Sequence, residues 1–186
     1  MAPEPGDAAT FSGPPRSLRW PIMYDVSRMA GFYAAHGIWS VSGGDTLIPL
    51  LGHADAAGGQ GMNRLMADDI ADAAKAGQEA LEAGRPDWVR AVFVADAYLN
   101  LDGRRVDALV VDAVEYLPAR RSMKMAVPYR PQSTPQGFAV YRPKFIEVTD
   151  VVEPDYAGLA DAFFAGVDSH EQAAAVWNAH LLDESV

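Results

Sequence analysis

The chain has 186 residues, 49% of them hydrophobic and 22% charged, with a net charge of −10 at pH 7. That length supports one sizeable core and is short for two, and the negative charge works against general binding to a phosphate backbone. The absence of cysteine excludes disulfides, thiolate nucleophiles and cysteine-ligated metals. No apolar run reaches the roughly 18 residues a membrane span needs, and residues 1–17 lack the basic-then-apolar layout of a signal peptide. The expectation is a cytoplasmic protein without nucleic-acid or membrane partners.

Residues 1–20 are expected to form a disordered N-terminal arm: Pro3, Pro5, Pro14 and Pro15 stand among Gly, Ala and Ser, a composition that cannot bury enough apolar surface to offset chain entropy. Residues 21–186 are expected to form a single α+β domain. The spacing of Ile22, Val26, Met29, Ala30 and Tyr33 predicts a helix over 25–36, with Asp25 at its start and Gly37 as a left-handed C-terminal stop. Ile38–Ser42 and Thr46–Leu51 read as a hairpin about Gly43-Gly44-Asp45, with Pro49 placing its second strand near an edge. A small-residue loop, Gly52–Gly61, precedes a helix expected over Met62–Ala83, closed by Gly84, with Met62, Leu65, Met66, Ile70, Ala73, Ala74 and Leu81 as its core stripe.

The strongest signal is Val89–Leu117, where two alternating apolar runs flank the turn dipeptide Asp102-Gly103. With those two residues in the turn, Leu101 pairs with Arg104, Tyr98 with Asp107 and Arg90 with Glu115, the last an opposite-charge pair that favours the register. One face carries Val89, Ala91, Phe93, Ala95, Ala97, Leu99, Val106, Ala108, Val110, Val114 and Tyr116 and is expected to be core. The other mixes Arg90, Asp96, Asn100, Arg105, Asp107 and Glu115 with Val92, Val94, Leu109 and Val111 and is expected to be partly wet. Ser122–Tyr129 and Phe138–Val148 add strands to the same antiparallel sheet, with Pro128, Pro131 and Pro143 marking bulges or edges. Tyr156, Leu159, Ala160, Phe163 and Val167 predict a helix. A second begins after Asp168, with Ser169 and Gln172 at capping-box spacing and Ala173, Val176, Trp177 and Leu181 on one face. The fold class is therefore α+β: an antiparallel sheet, built from a hairpin and a three- to four-stranded meander, flanked by helices and ending helically. This order resembles, at the level of fold alone, that of roadblock and longin-like modules, whose sheets serve dimerisation.

Charge is segregated. Residues 104–144 hold Arg104, Arg105, Arg120, Arg121, Lys124, Arg130, Arg142 and Lys144 against Asp107, Asp112 and Glu115, whereas residues 147–186 hold acids and no Lys or Arg. An acidic tail covering a basic sheet edge accounts for such a pattern.

Candidate sites are few. Gly58-Gly59-Gln60-Gly61 at the expected helix start, with Arg64 one turn inside, is either an anion cradle or a flexible loop. His36, His53, His170 and His180 are scattered without metal-ligand spacing, so no metal and no cofactor are expected; His53 with Asp55 comes nearest to a ligand pair, and His36 suits the last turn of a helix. Ser40, Ser42 and Ser122 have no nearby base or nucleophile elbow. Asp112, opposite Phe93 on the expected core face, is either a general base with a raised pKa, or an acid satisfied by a helix end or an arginine, or one turned outward by a bulge. Asp96 joins it only in a different register. Tyr129-Arg130-Pro131 recurs as Tyr141-Arg142-Pro143. With Lys124 and Lys144 beside them, these form either a binding edge for a carboxylate, phosphate or protein, or a margin protected against aggregation.

The reading that follows is a non-enzymatic interaction or regulatory module, self-associating or bound to a protein partner, with Tyr129, Arg130, Tyr141, Arg142 and Lys144 as its binding residues. Two alternatives stand beside it. One is a small-molecule or anion-binding enzyme using Asp112, His53 and the Arg130 and Arg142 pair, which requires these groups to share a pocket. The other is an acidic inhibitor or immunity-type partner of a basic macromolecule.

Overall fold

The structure, a computed structural model, describes residues 23–186; the expected disordered arm, residues 1–20, lies outside the described residues. The elements run α1 (Tyr24–Val41), β1 (Leu50–Asp55), β2 (Gln60–Arg64), α2 (Ile70–Ala83), β3 (Trp88–Leu101), β4 (Arg104–Glu115), β5 (Arg121–Arg130), β6 (Ala139–Val140), β7 (Lys144–Thr149), α3 (Tyr156–Asp168) and α4 (Glu171–His180). This is an α+β fold with one seven-stranded antiparallel sheet in the order β2-β1-β3-β4-β5, the far side of β5 being shared by β6 and β7. No helix among the described residues is long and apolar enough to cross a membrane.

The Asp-Gly hairpin has the expected register throughout, from Leu101↔Arg104 to Arg90↔Glu115, with Asp102 and Gly103 both at positive φ. Its charges are matched differently from expectation. Arg90 reaches Asp25 on α1 at 3.2 Å, and Glu115 pairs with Arg121 on β5 at 3.0 Å.

The two faces are also reversed in weight. Val92, Val94, Leu109 and Val111, expected on the partly wet side, lie in the main core beneath α1, while Ala91, Phe93, Ala95 and Val114 form a smaller cluster with Leu81 of α2. Helices cover both sides of the centre of the sheet, so strands there read apolar on both faces. The polar residues Asn100, Arg104 and Arg105 gather instead at the exposed hairpin tip.

Three expectations for the first half of the chain are overturned. Gly37 does not stop α1: it is buried inside the helix, where a β-carbon would crowd the side chains of Leu109 and Val94, so its small size serves close packing of helix on sheet. Ile38–Ser42 is accordingly no strand but the last turn of α1 and its C-cap, and β1 starts only at Leu50, between β2 and β3 and away from the edge. The segment 60–64 is the outer strand β2, and α2 begins at Ile70, where the Asp69 carboxylate accepts from the Ala71 N–H. Met62, Met66 and Ile70 are thus exposed, and the buried stripe of α2 reduces to Ala73, Gly77 and Leu81.

The second half follows the sequence more closely. Pro143 separates β6 from β7, and Pro128 sits on β5 between the residues that pair with β7 and those that pair with β6, where its missing N–H interrupts no ladder. The α4 cap is shifted by one residue: the Ser169 hydroxyl donates to the Gly166 carbonyl and closes α3, while His170 Nδ1 accepts from the Ala173 N–H and opens α4. Helices α3 and α4 pack on α1 rather than directly across the sheet, burying Phe163, Leu159 and Trp177. α1 and α3 approach through glycine. A β-carbon on Gly31 would collide with the Phe163 carbonyl, and one on Gly166 with the Arg28 carbonyl.

Candidate functional site

The five expected binding residues lie along β5, β6 and the start of β7, and each has a partner within the chain. The buried Tyr129 hydroxyl donates to Asp96 at 2.9 Å, and burial together with that carboxylate pushes its pKa far up. Asp96 is itself raised, burial outweighing the Tyr129 hydrogen bond. Arg130 clasps the 131–137 loop, donating to the carbonyls of Gly137 and Gln136 at 2.8 and 3.2 Å. The Tyr141 N–H bonds to the Pro128 carbonyl.

Beyond β6 the chain's own tail completes the margin. Leu181 bridges Val140 in parallel, the Leu182 N–H donates to the Val140 carbonyl, and the Arg142 N–H donates to the Glu184 carbonyl. The Arg142 guanidinium grips Asp183 with Nε and Nη2 at 3.1 and 2.6 Å, and Lys144 Nζ donates to Ser185 Oγ at 2.7 Å. A strand-like acidic segment therefore lies against the basic margin. Next to it, a cleft of about 260 Å³ is lined by Arg104, Arg105, Arg130, Tyr129, Tyr141 and Asp107 among others.

Asp112 is buried opposite Phe93, with Lys124 at 3.4 Å. Its pKa is raised because burial outweighs the attraction of Lys124 and the Gln78 hydrogen bond. The folded protein thus holds this proton more tightly than the unfolded chain, and stability falls as pH rises from the ordinary carboxylate value through the raised one. The difference in urea midpoint between the wild type and Asp112→Asn is expected to shift against the wild type across that window. A difference independent of pH would show that the carboxyl titrates normally.

His53 lies on β1 with its ring stacked on Trp88 at 4.7 Å and its Nδ1 buried without a hydrogen-bond partner. It does not line the cleft of about 160 Å³ that holds Asp112, Lys124, Gln78 and Glu147, and neither residue lines the cleft at Arg130. The three groups of the enzyme alternative therefore stand in separate places. The Gly58–Gly61 segment is not at a helix start; it runs from the β1–β2 turn into β2, and the Ala57 and Gly59 N–H groups of that turn are taken by Asp55 Oδ1, both at 2.8 Å. An internal carboxylate fills that cradle.

One constellation has no counterpart in the sequence reading. His36, on the buried side of α1, places Nδ1 3.0 Å from His170 Nε2, and Arg64 at the end of β2 brings Nη2 to 3.4 Å from His36 Nε2. Arg64 reaches there because it is paired with Leu50, whose side chain faces α1. Phe32 and Trp39 flank the two rings. Burial, His170 and Arg64 all lower the pKa of His36, which favours the neutral imidazole. Among the described residues no group of three His, Cys, Asp or Glu could hold a metal, and a guanidinium beside the two rings suits an anion rather than a cation.

Comparison of the chain with protein-family models, with curated proteins and with solved structures gives no match.

Proposed function

We propose that this chain is an interaction module whose β6 margin binds an extended acidic segment of a protein partner, in competition with its own residues 181–185. The observation that carries this reading is the seat of those residues: main-chain pairing to Val140 and Arg142, with Asp183 held by the Arg142 fork. Such pairing gives affinity through the backbone and selectivity through the side chains beside it. The occupant is held lightly, since the Arg142 and Asp183 side chains remain 54% and 91% exposed, and an ion pair that open contributes about 0–1 kcal/mol. Positive charge on Arg142, Lys144 and Arg130 within a protein of net charge −10 directs acidic chains to this margin.

Deleting residues 182–186 and titrating a labelled peptide of residues 180–186 tests the reading. The peptide is expected to bind the truncated protein more tightly than the full chain, and Arg142→Glu is expected to abolish that binding with the far-ultraviolet circular dichroism unchanged. Arg142→Glu is cleaner than the double change with Arg130→Glu, because Arg130 also holds the 131–137 loop. A truncated protein that ignores the peptide would remove the proposal.

A further inference from the structure

The hydrogen bonds around His36 do not close on themselves. At one end of the chain of groups the Ala173 N–H donates to His170 Nδ1, which leaves the proton of neutral His170 on Nε2. That proton is donated to His36 Nδ1, 3.0 Å away, which leaves the proton of neutral His36 on Nε2. Facing Nε2 at 3.4 Å is the Arg64 guanidinium, which has donors only. Reversing both tautomers only moves the conflict to the Ala173 end, where the donor is a backbone N–H fixed in the first turn of α4. Two neutral imidazoles strung between two donors always leave one donor facing another. The end that can be relieved is the one at Arg64, an exposed side chain on the outer strand. Two donors 3.4 Å apart can share a single acceptor oxygen at about 2.9 Å from each.

Arg64 also lines a cleft of about 400 Å³ with Trp39, Ser40, Asp45 and Leu50, a size suited to a small molecule; His36, 8% exposed, adjoins it through Arg64 and is not part of that lining. The walls of the cleft are divided between polar and apolar groups, and on the apolar side Trp39, 38% exposed, offers a ring face or edge. The Ser40 hydroxyl is spent on the His36 carbonyl. Asp45 at the rim sets a limit on charge, because a carboxylate there repels a dianion more than a monoanion.

We infer that this cleft binds a small organic monocarboxylate, one oxygen seated between the Arg64 guanidinium and the His36 Nε2–H and the apolar body lying against Trp39. The same oxygen completes the donor sequence that begins at Ala173, so ligand binding is tied to the joint between α1 and the start of α4.

Benzoate is the probe, with benzamide as its uncharged counterpart and inorganic phosphate as the dianion. Long-range proton–nitrogen correlation spectra of the full chain identify which His36 nitrogen is protonated and report binding at that ring. The expected results are a proton on His36 Nε2, a shift of its signals on adding benzoate but not benzamide, and weaker binding of phosphate. Arg64→Gln, at an exposed position that leaves the fold intact, is expected to weaken benzoate at least about tenfold, as the loss of a charge-assisted hydrogen bond does. An unchanged amide spectrum confirms that the variant is folded. A His36 proton on Nδ1, no response to benzoate up to its solubility, equal binding by Arg64→Gln, or phosphate binding more tightly than benzoate would each overturn the inference.

Discussion

Phe93→Ala is expected to lower the free energy of unfolding by about 3–5 kcal/mol, the range for truncating a buried aromatic side chain. Phe93 is 3% exposed on β3, between Leu51 and Asp112 in the adjoining strands. Above it, α2 comes so close that a β-carbon on Gly77 would enter its ring. The cavity left by alanine is therefore roofed by backbone, which cannot collapse into it without moving α2. That helix buries only Ala73, Gly77 and Leu81, so much of its attachment passes through this one ring. Asn100→Ala, at an exposed position near the hairpin tip, should change stability by less than about 0.5 kcal/mol. Urea unfolding of both variants is the check, and equal costs would mean that the α2 side of the sheet is not a core.

Gly166→Ala is expected to cost about 3 kcal/mol, the upper part of the usual range for overpacking. The added methyl would meet the Arg28 carbonyl carbon and oxygen, which are main-chain atoms of α1 and have no rotamer to yield. Gly31→Ala should act alike from the other side, against the Phe163 carbonyl. Either change forces α1 and α3 apart, so the double variant should cost clearly less than the sum of the two. A strictly additive double variant, or single losses below about 0.5 kcal/mol, would show that the helices are not in backbone contact.

The sequence made some of this arrangement legible and hid the rest for physical reasons. The β3–β4 register was readable because a two-residue turn and strand alternation are local rules, and they hold whatever packs on the faces. Which face is the deeper core was not readable, since that depends on where α1 and α2 settle. Gly37 misled because a glycine that makes room for Leu109 looks, in sequence, like one that ends a helix. The start of α2 misled because Met62, Leu65 and Met66 keep helical spacing while Gln60–Arg64 pairs as a strand with β1, a tertiary override of local preference. At the basic margin, charge segregation pointed to an acidic cover, and the Arg142 contact with Asp183 supplies it. The His36, His170 and Arg64 cluster left only one local trace, a helix start expected at Ser169 beside His170. Its members are separated by 134 and 28 positions, and nothing in their neighbourhoods links them.

The place of α1 between the sheet and α3 bears on how fast the molecule can assemble. The Ser27 hydroxyl donates to the Leu159 carbonyl across 132 positions, and the Gly31 and Gly166 contacts span similar distances along the chain. The first helix therefore lacks its cover on the α3 side until residues 156–180 have been laid over it. Loop closure of that length must be met before the contacts return any stability, which places the fold among the slower, high-contact-order topologies. Until then the face of α1 that carries Ser27 and Gly31 stays uncovered, and a partly folded chain is prone to stick to its neighbours there.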